Sequence, residues 1–266
     1  MKDLIRAELD KVSEPKLKRL VLTEFLQHLI LQSFYNHGAF KHLVFTGGTA
    51  LRILYHTGRH SEDLDFSLAE KEGFEFGRLI EAAEKDMELQ QLGLETRLKK
   101  VMTVLKAELR FTNVLKEMNL SPLRDQKLMV KLEVDTNPPP GGVKEISLVT
   151  SLVSYTVTHF DLPSLFGTKL CAIFFRRYVK GRDYYDLVWY LGKNIKPNFE
   201  VLNHAIRQVR GEGHDIREKD FRSKLIEHLG KVDFKNVRAD VDRFIINREE
   251  LKFLDFESVK SLLRNY

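Results

Sequence analysis

Apolar and polar positions follow two different periods along this chain, and the changes of period mark its elements. Residues 15–37, PKLKRLVLTEFLQHLILQSFYNH, carry apolar side chains at helical spacing with few breakers, which predicts one long amphipathic helix packed on a sheet. HLVFTGG then reads as a short strand stopped by a glycine turn, and TALRILYHT as a helix leaving that turn. In SEDLDFSL the period falls to two, with Asp63 and Asp65 alternating with Leu64 and Phe66, the pattern of a half-buried strand. Residues 72–92 look helical. ETRLKKVMTVLKAELRFTN and QKLMVKLEVDTN favour strands through alternation and β-branched content, and in the second Lys131, Glu133 and Asp135 share a face. PPPGG at 138–142 ends that strand, because proline cannot continue a ladder.

Beyond about residue 155 the spacing turns helical, with helices expected at 163–178, 183–193, 199–210, 217–230, 236–247 and 256–264. The fold class is therefore α+β, with an α+β domain over 1–155 and a helical C-terminal domain over 156–266 packed against it. No internal repeat, low-complexity tract or long flexible linker interrupts the two.

Composition narrows the setting. With 266 residues, 43% hydrophobic and 30% charged, the chain is globular rather than disordered. A formal charge of +5 suits a polyanionic partner such as a nucleotide or RNA, although a solvated lysine-rich surface accounts for it equally. The only cysteine, Cys171 in KLCAIFF, excludes an internal disulfide or a zinc site with several thiolates, and reads as core. The nine histidines show no metal-ligand spacing. MKDLIRAELDKVSEPKLKRL lacks the apolar centre of a signal peptide and no run reaches the length of a membrane span, so a cytoplasmic location is expected.

The segment 47–68, GGTALRILYHTGRHSEDLDFSL, carries the chemistry. Nucleotide transfer needs divalent ions bridging a triphosphate to carboxylates, and amides or cations absorbing phosphate charge. Gly47 and Gly48 allow backbone to approach phosphate oxygens, the following helix points its positive end there, and Thr49 adds a hydroxyl. Asp63 and Asp65, two apart on a strand, project from one face and can ligate one or two magnesium ions through hard oxygens. Glu133 or Asp135 offers a third carboxylate, Glu133 being preferred as deeper in its strand. Ser61 either hydrogen-bonds phosphate or caps the start of the strand. Arg176, Arg177, Lys180 and Arg182, beside Tyr178, Tyr184 and Tyr185, form a basic and aromatic cluster fitted to an RNA acceptor, or else a solvated helix face.

GGTALR at 47–52 and SEDLDF at 61–66 resemble the first two motifs of the AbiEii/AbiGii toxin family, nucleotidyltransferases of the DNA polymerase beta superfamily. The later motifs have counterparts in KLCAIFFRRYVKGRDYYDL, at Lys169, Ala172, Arg182, Asp183 and Asp186. The resemblance implies a polymerase-beta-like mixed sheet with a helical C-terminal domain, magnesium (manganese as a substitute) and a nucleoside triphosphate donor. It also implies a tRNA acceptor and the toxin half of a toxin–antitoxin pair, with an antitoxin encoded nearby. By that resemblance Gly48, Thr49 and Arg52 join the triphosphate-binding turn, Asp63 and Asp65 the metal site, and Lys169 contacts donor phosphates. Asp183 takes a catalytic or base-positioning role, with RDYYDL equally readable as capping plus an arginine pair joining the domains. Two alternatives stand beside this expectation: transfer to a small molecule or protein side chain, and a nucleotide-binding regulatory module without catalysis.

Overall fold

The structure, a computed structural model, describes residues 1–123 and 125–266. The chain divides into two compact units. The first comprises Met1–His56, His60–Pro138 and Glu145–His159, and the second Thr57–Arg59, Pro139–Lys144 and Phe160–Tyr266.

The first unit is built on a seven-stranded mixed sheet. Its strands are β1 (Leu43–Thr46), β2 (Asp63–Leu68), β3 (Leu94–Val101), β4 (Val104–Phe111), β5 (Leu128–Asp135), β6 (Lys144–Val149) and β7 (Tyr155–Phe160), in the order β3-β4-β5-β2-β1-β7-β6. β2 runs antiparallel to β1 and parallel to β5, while β3, β4 and β5 form an antiparallel ribbon. Five helices belong to this unit: α1 (Lys2–Asp10), α2 (Pro15–Asn36), α3 (Gly47–Tyr55), α4 (Phe76–Leu89) and α5 (Val114–Glu117). One face of the sheet is apolar, with Leu64 and Phe66 of β2, Val130, Leu132 and Val134 of β5 and Leu109 and Phe111 of β4 all buried in the same core as α2 and α4. At about 1.5–3 kcal/mol for each large apolar side chain removed from water, this layer anchors one face of the sheet and leaves the other for polar side chains.

Two expectations change here. The sheet is wider than the pattern indicated, because β6 and β7 occupy 144–160. KEISLV in β6 is exposed at Lys144, Glu145, Ile146 and Leu148, so burial leaves no period in it, while β7 does alternate, with Tyr155, Val157 and His159 buried. The long helix α2 is not amphipathic: from Leu22 to Phe34 it is buried on nearly every side. Its polar side chains Gln27 and His28 point inward to polar partners rather than to water, which a helical-period count cannot distinguish.

The second unit is helical: α6 (Leu162–Phe175), α7 (Gly181–Gly192), α8 (Phe199–Arg210), α9 (Glu218–Leu229), α10 (Phe234–Val241) and α11 (Phe256–Leu262). Asp161, Asn198, Asp233 and Asp255 each accept backbone N–H bonds from the first turn of α6, α8, α10 and α11, which fixes where these helices start. Inside, Phe166 stacks on Tyr190 with centroids 4.3 Å apart, and Cys171 is buried as expected. No helix among the described residues is long and apolar enough to cross a membrane.

Candidate active site

β1 delivers the chain into α3 through Thr46 and Gly47. Gly47 has φ +77°, a conformation that costs a side-chain-bearing residue strain, and a Cβ built there would lie 2.3 Å from Asp65 Oδ2 and 2.9 Å from Asp65 Cβ. Both facts demand glycine, for one reason: the Asp65 carboxylate lies against the first turn of α3. Thr46, the residue before α3, makes no side-chain bond to the helix's first turn. The helix's positive end and the Asp65 carboxylate therefore lie together at the start of α3.

Strand register sets the carboxylates side by side. Asp65 pairs laterally with Glu133 and Thr46, and Asp63 with Lys131, so Asp63, Asp65 and Glu133 share the polar face of the sheet. Asp135 pairs with Ser67 instead, one step further along, and accepts the N–H of Asn137. Glu133 accepts a hydrogen bond from Lys106 Nζ at 2.8 Å, from the next strand of the same row. Among the described residues no three His, Cys, Asp or Glu side chains are gathered as a ready metal shell. The donor set itself is all carboxylate oxygen, which fits hard divalent ions rather than zinc.

The other expected residues of this segment have the following surroundings. Thr49 is fully buried and donates its hydroxyl to the Asp63 carbonyl, tying the first turn of α3 to the start of β2. Ser61 is buried and its carbonyl accepts the Gln27 amide at 3.1 Å. Arg52 Nε donates to Glu24 Oε2 at 2.9 Å, and His60 Nδ1 lies 2.7 Å from the same oxygen. Burial alone would raise the pKa of Glu24, but the bonds from His60 and Arg52 outweigh it and pull it down to about 2. One turn on, His28 Nδ1 and Tyr155 Oη are 2.9 Å apart, and burial lowers the pKa of His28 to about 4, keeping it neutral. Glu24, Gln27 and His28 were not singled out from sequence. Spacing alone does not reveal them: Glu24, Gln27 and His28 stand at i, i+3 and i+4 in LTEFLQHLIL, one helix face, which the pattern reads as facing water.

In the second unit, KLCAIFFRRYVKGRDYYDL forms an ion-pair cluster. Arg59, 1% exposed, donates from Nε and Nη2 to both oxygens of Asp186 at 2.7 and 2.6 Å. Lys169 Nζ lies 2.8 Å from Asp183 and 2.9 Å from Asp186, and Arg176 NH1 bonds the other Asp183 oxygen. Burial pushes the Asp186 carboxyl up and the Lys169 ammonium down, but the charge of Arg59, then of Lys169, holds Asp186 below its ordinary value, and the charges of Asp183 and Asp186 hold Lys169 above its own. Tyr184 and Tyr185 are buried, with hydroxyls on His228 and Glu250, and are unavailable for stacking on RNA. Arg182 lies over the Phe244 ring. Arg177 and Tyr178 remain exposed, with the Arg176 guanidinium 5.5 Å from the Tyr178 ring centre.

The sequence model of the AbiEii nucleotidyl transferase toxin family, type IV toxin–antitoxin systems, matches residues 29–262. The chain belongs to that family. It is a nucleotidyltransferase, and the family, the toxin side of its systems, implies a nucleoside triphosphate substrate, a divalent metal and an antitoxin partner. Solved structures agree on the fold. A nucleotidyltransferase candidate from Helicobacter pylori superposes with TM-score 0.58 at 19% identity, over 96% of this chain and 95% of that one. JHP933 from Helicobacter pylori gives 0.55 at 18%, over 96% and 92%. MenT4, a nucleotidyltransferase toxin from Mycobacterium tuberculosis, gives 0.57 at 17%, over 100% and 98%. No curated protein sequence matches.

Proposed function

We propose that this chain is a magnesium-dependent toxin that transfers a nucleoside monophosphate from a nucleoside triphosphate to a hydroxyl of tRNA in the cytoplasm, blocking translation. The observation that carries it is the close approach of Asp65 to Gly47, which brings the N-terminus of α3 and a strand carboxylate together. Phosphate oxygens need the first, and the metal that accompanies them needs the second. Asp63 and Asp65 hold the ion, with Glu133 rather than Asp135 as third carboxylate because Glu133 is the lateral neighbour of Asp65. A bound divalent ion would neutralise the triphosphate and activate the acceptor oxygen. That hydroxyl oxygen attacks the α-phosphorus, its proton passes to solvent, the bond to the β-phosphate oxygen breaks, and pyrophosphate leaves.

Gly48 lends its backbone to the phosphates, Thr49 and Ser61 hold the turn and strand that flank it, and Arg52 is aligned by Glu24. In the second unit we assign Lys169 to donor phosphates and Asp183 to orienting Lys169, because Asp183 is already engaged by Lys169 and Arg176. The charge division supports an RNA acceptor: the second unit carries 23 Lys and Arg against 16 Asp and Glu, the first 20 against 22. Arg177 and the exposed Tyr178 supply a phosphate contact and a stacking face.

The test is incubation with each α-labelled nucleoside triphosphate, magnesium and total tRNA, beside the same reactions without RNA. Label in tRNA, lost in Asp65→Asn with unchanged circular dichroism, is the expected result. Label in the protein or a small molecule without RNA would move the acceptor to that class, and no transfer with any nucleotide would end the proposal.

A further inference from the structure

The Lys106–Glu133 pair sits where the proposed metal site needs a free carboxylate. Across the sheet one row reads Lys106, Glu133, Asp65, Thr46, in strands β4, β5, β2 and β1. Lateral neighbours in such a row project from the same face, so the Lys106 ammonium and the Asp65 carboxylate flank Glu133 on opposite sides. The ammonium bonds Glu133 Oε1 at 2.8 Å, and the two side chains are 37% and 39% exposed, so either can swing without unfolding the sheet. Elsewhere on this face the cations are shared differently: Lys99 and Arg110 both serve Glu108, leaving Lys106 as the cation placed on the third carboxylate.

We propose that Lys106 is an internal counter-ion that competes with the divalent metal for Glu133. With no metal bound, three carboxylates on one face repel one another, and the ammonium relieves this by drawing Glu133 towards β4 and away from Asp65. When the metal binds, Glu133 exchanges a monovalent partner for a divalent one and Lys106 is released on the substrate side of the sheet. Lys106 is thus a positioning residue that sets how tightly the site holds its ion, and it rests on the assignment of Glu133 as third carboxylate.

Manganese binding, measured by calorimetry on the full chain without nucleotide, tests this independently of turnover. Removing a part-exposed ion pair that opposes binding predicts that Lys106→Met tightens manganese about two- to fivefold. Lys106→Arg, which keeps the charge and the pair, stays near wild type, and Glu133→Gln weakens binding. In the Glu133→Gln background Lys106→Met has no further effect. Unchanged or weaker binding in Lys106→Met, or an equal gain in both backgrounds, overturns the competition. If Glu133→Gln binds manganese as the wild type does, the third-carboxylate assignment falls and the proposal with it; if the wild type binds none, the metal site itself is refuted.

Discussion

Glu24 offers the sharpest energetic test, because one buried carboxylate joins α2, α3 and the segment leading into β2. Its pKa falls from 4.5 to about 2, a preference for the charged form in the folded state worth about 3 kcal/mol at 1.36 kcal/mol per unit. The side chain is 19% exposed, so solvent screening trims this only modestly. Glu24→Gln keeps the shape but removes the charge, and its amide N–H would confront the donor of either Arg52 or His60. The expected loss at pH 7 is about 2–3 kcal/mol in unfolding free energy, read from urea melts by circular dichroism. The sign follows from the depressed pKa: the contribution is complete above 4.5 and drains away as pH falls towards 2. The gap between wild type and variant should therefore narrow to about half by pH 3. A gap that is independent of pH, or below about 0.5 kcal/mol at pH 7, would refute the argument. With Arg52 released, the Michaelis constant for the nucleoside triphosphate should also rise.

Gly47→Ala should abolish transfer and cost about 1–3 kcal/mol, since the new Cβ meets Asp65 and the backbone is left-handed; activity assays with urea melts check both. Arg59→Met leaves Asp186 buried with only Lys169, and thermal and urea unfolding should show a loss of about 3–5 kcal/mol, with Arg59→Lys recovering part of it because lysine cannot form the fork. Tyr178→Ala and Arg177→Ala should each weaken tRNA binding in filter assays. The arginine change should also lower the slope of log affinity against log salt by about one, whereas the tyrosine change should leave the slope alone.

What was legible in the sequence was what local spacing encodes. The glycine turn, the Asp63–Asp65 alternation and the strand through Glu133 each declare themselves within a few residues, and an α+β half followed by a helical half follows from the same periods, while the mixed sheet came from the family resemblance. What was not legible depends on partners far apart in the chain. Arg52 and His60 look like independent polar residues until α2 brings Glu24 between them, across 28 and 36 positions. Thr49 has the composition of a phosphate ligand, yet its buried hydroxyl is given to the Asp63 carbonyl, fourteen positions away. Tyr184 and Tyr185 stand beside arginines in sequence but face inward from α7, because a helix turns successive residues to different sides and α7 is buried over most of its length.

These hidden contacts share a physical purpose. The first unit carries a slight excess of acidic residues, and its polar sheet face concentrates carboxylates where a triphosphate of the same sign must bind. Like charges a few ångströms apart cost about 1 kcal/mol per pair even in water and more near protein. Each device described here lowers that cost without filling the site: the N-terminus of α3 offers partial positive charge, Arg52 is held in place by Glu24, and Lys106 occupies Glu133. None of them outweighs two or three carboxylates facing a triphosphate, so nucleotide affinity in this unit must depend steeply on the divalent ion. Nucleotide binding that proved independent of added metal would place the phosphates away from Asp63 and Asp65.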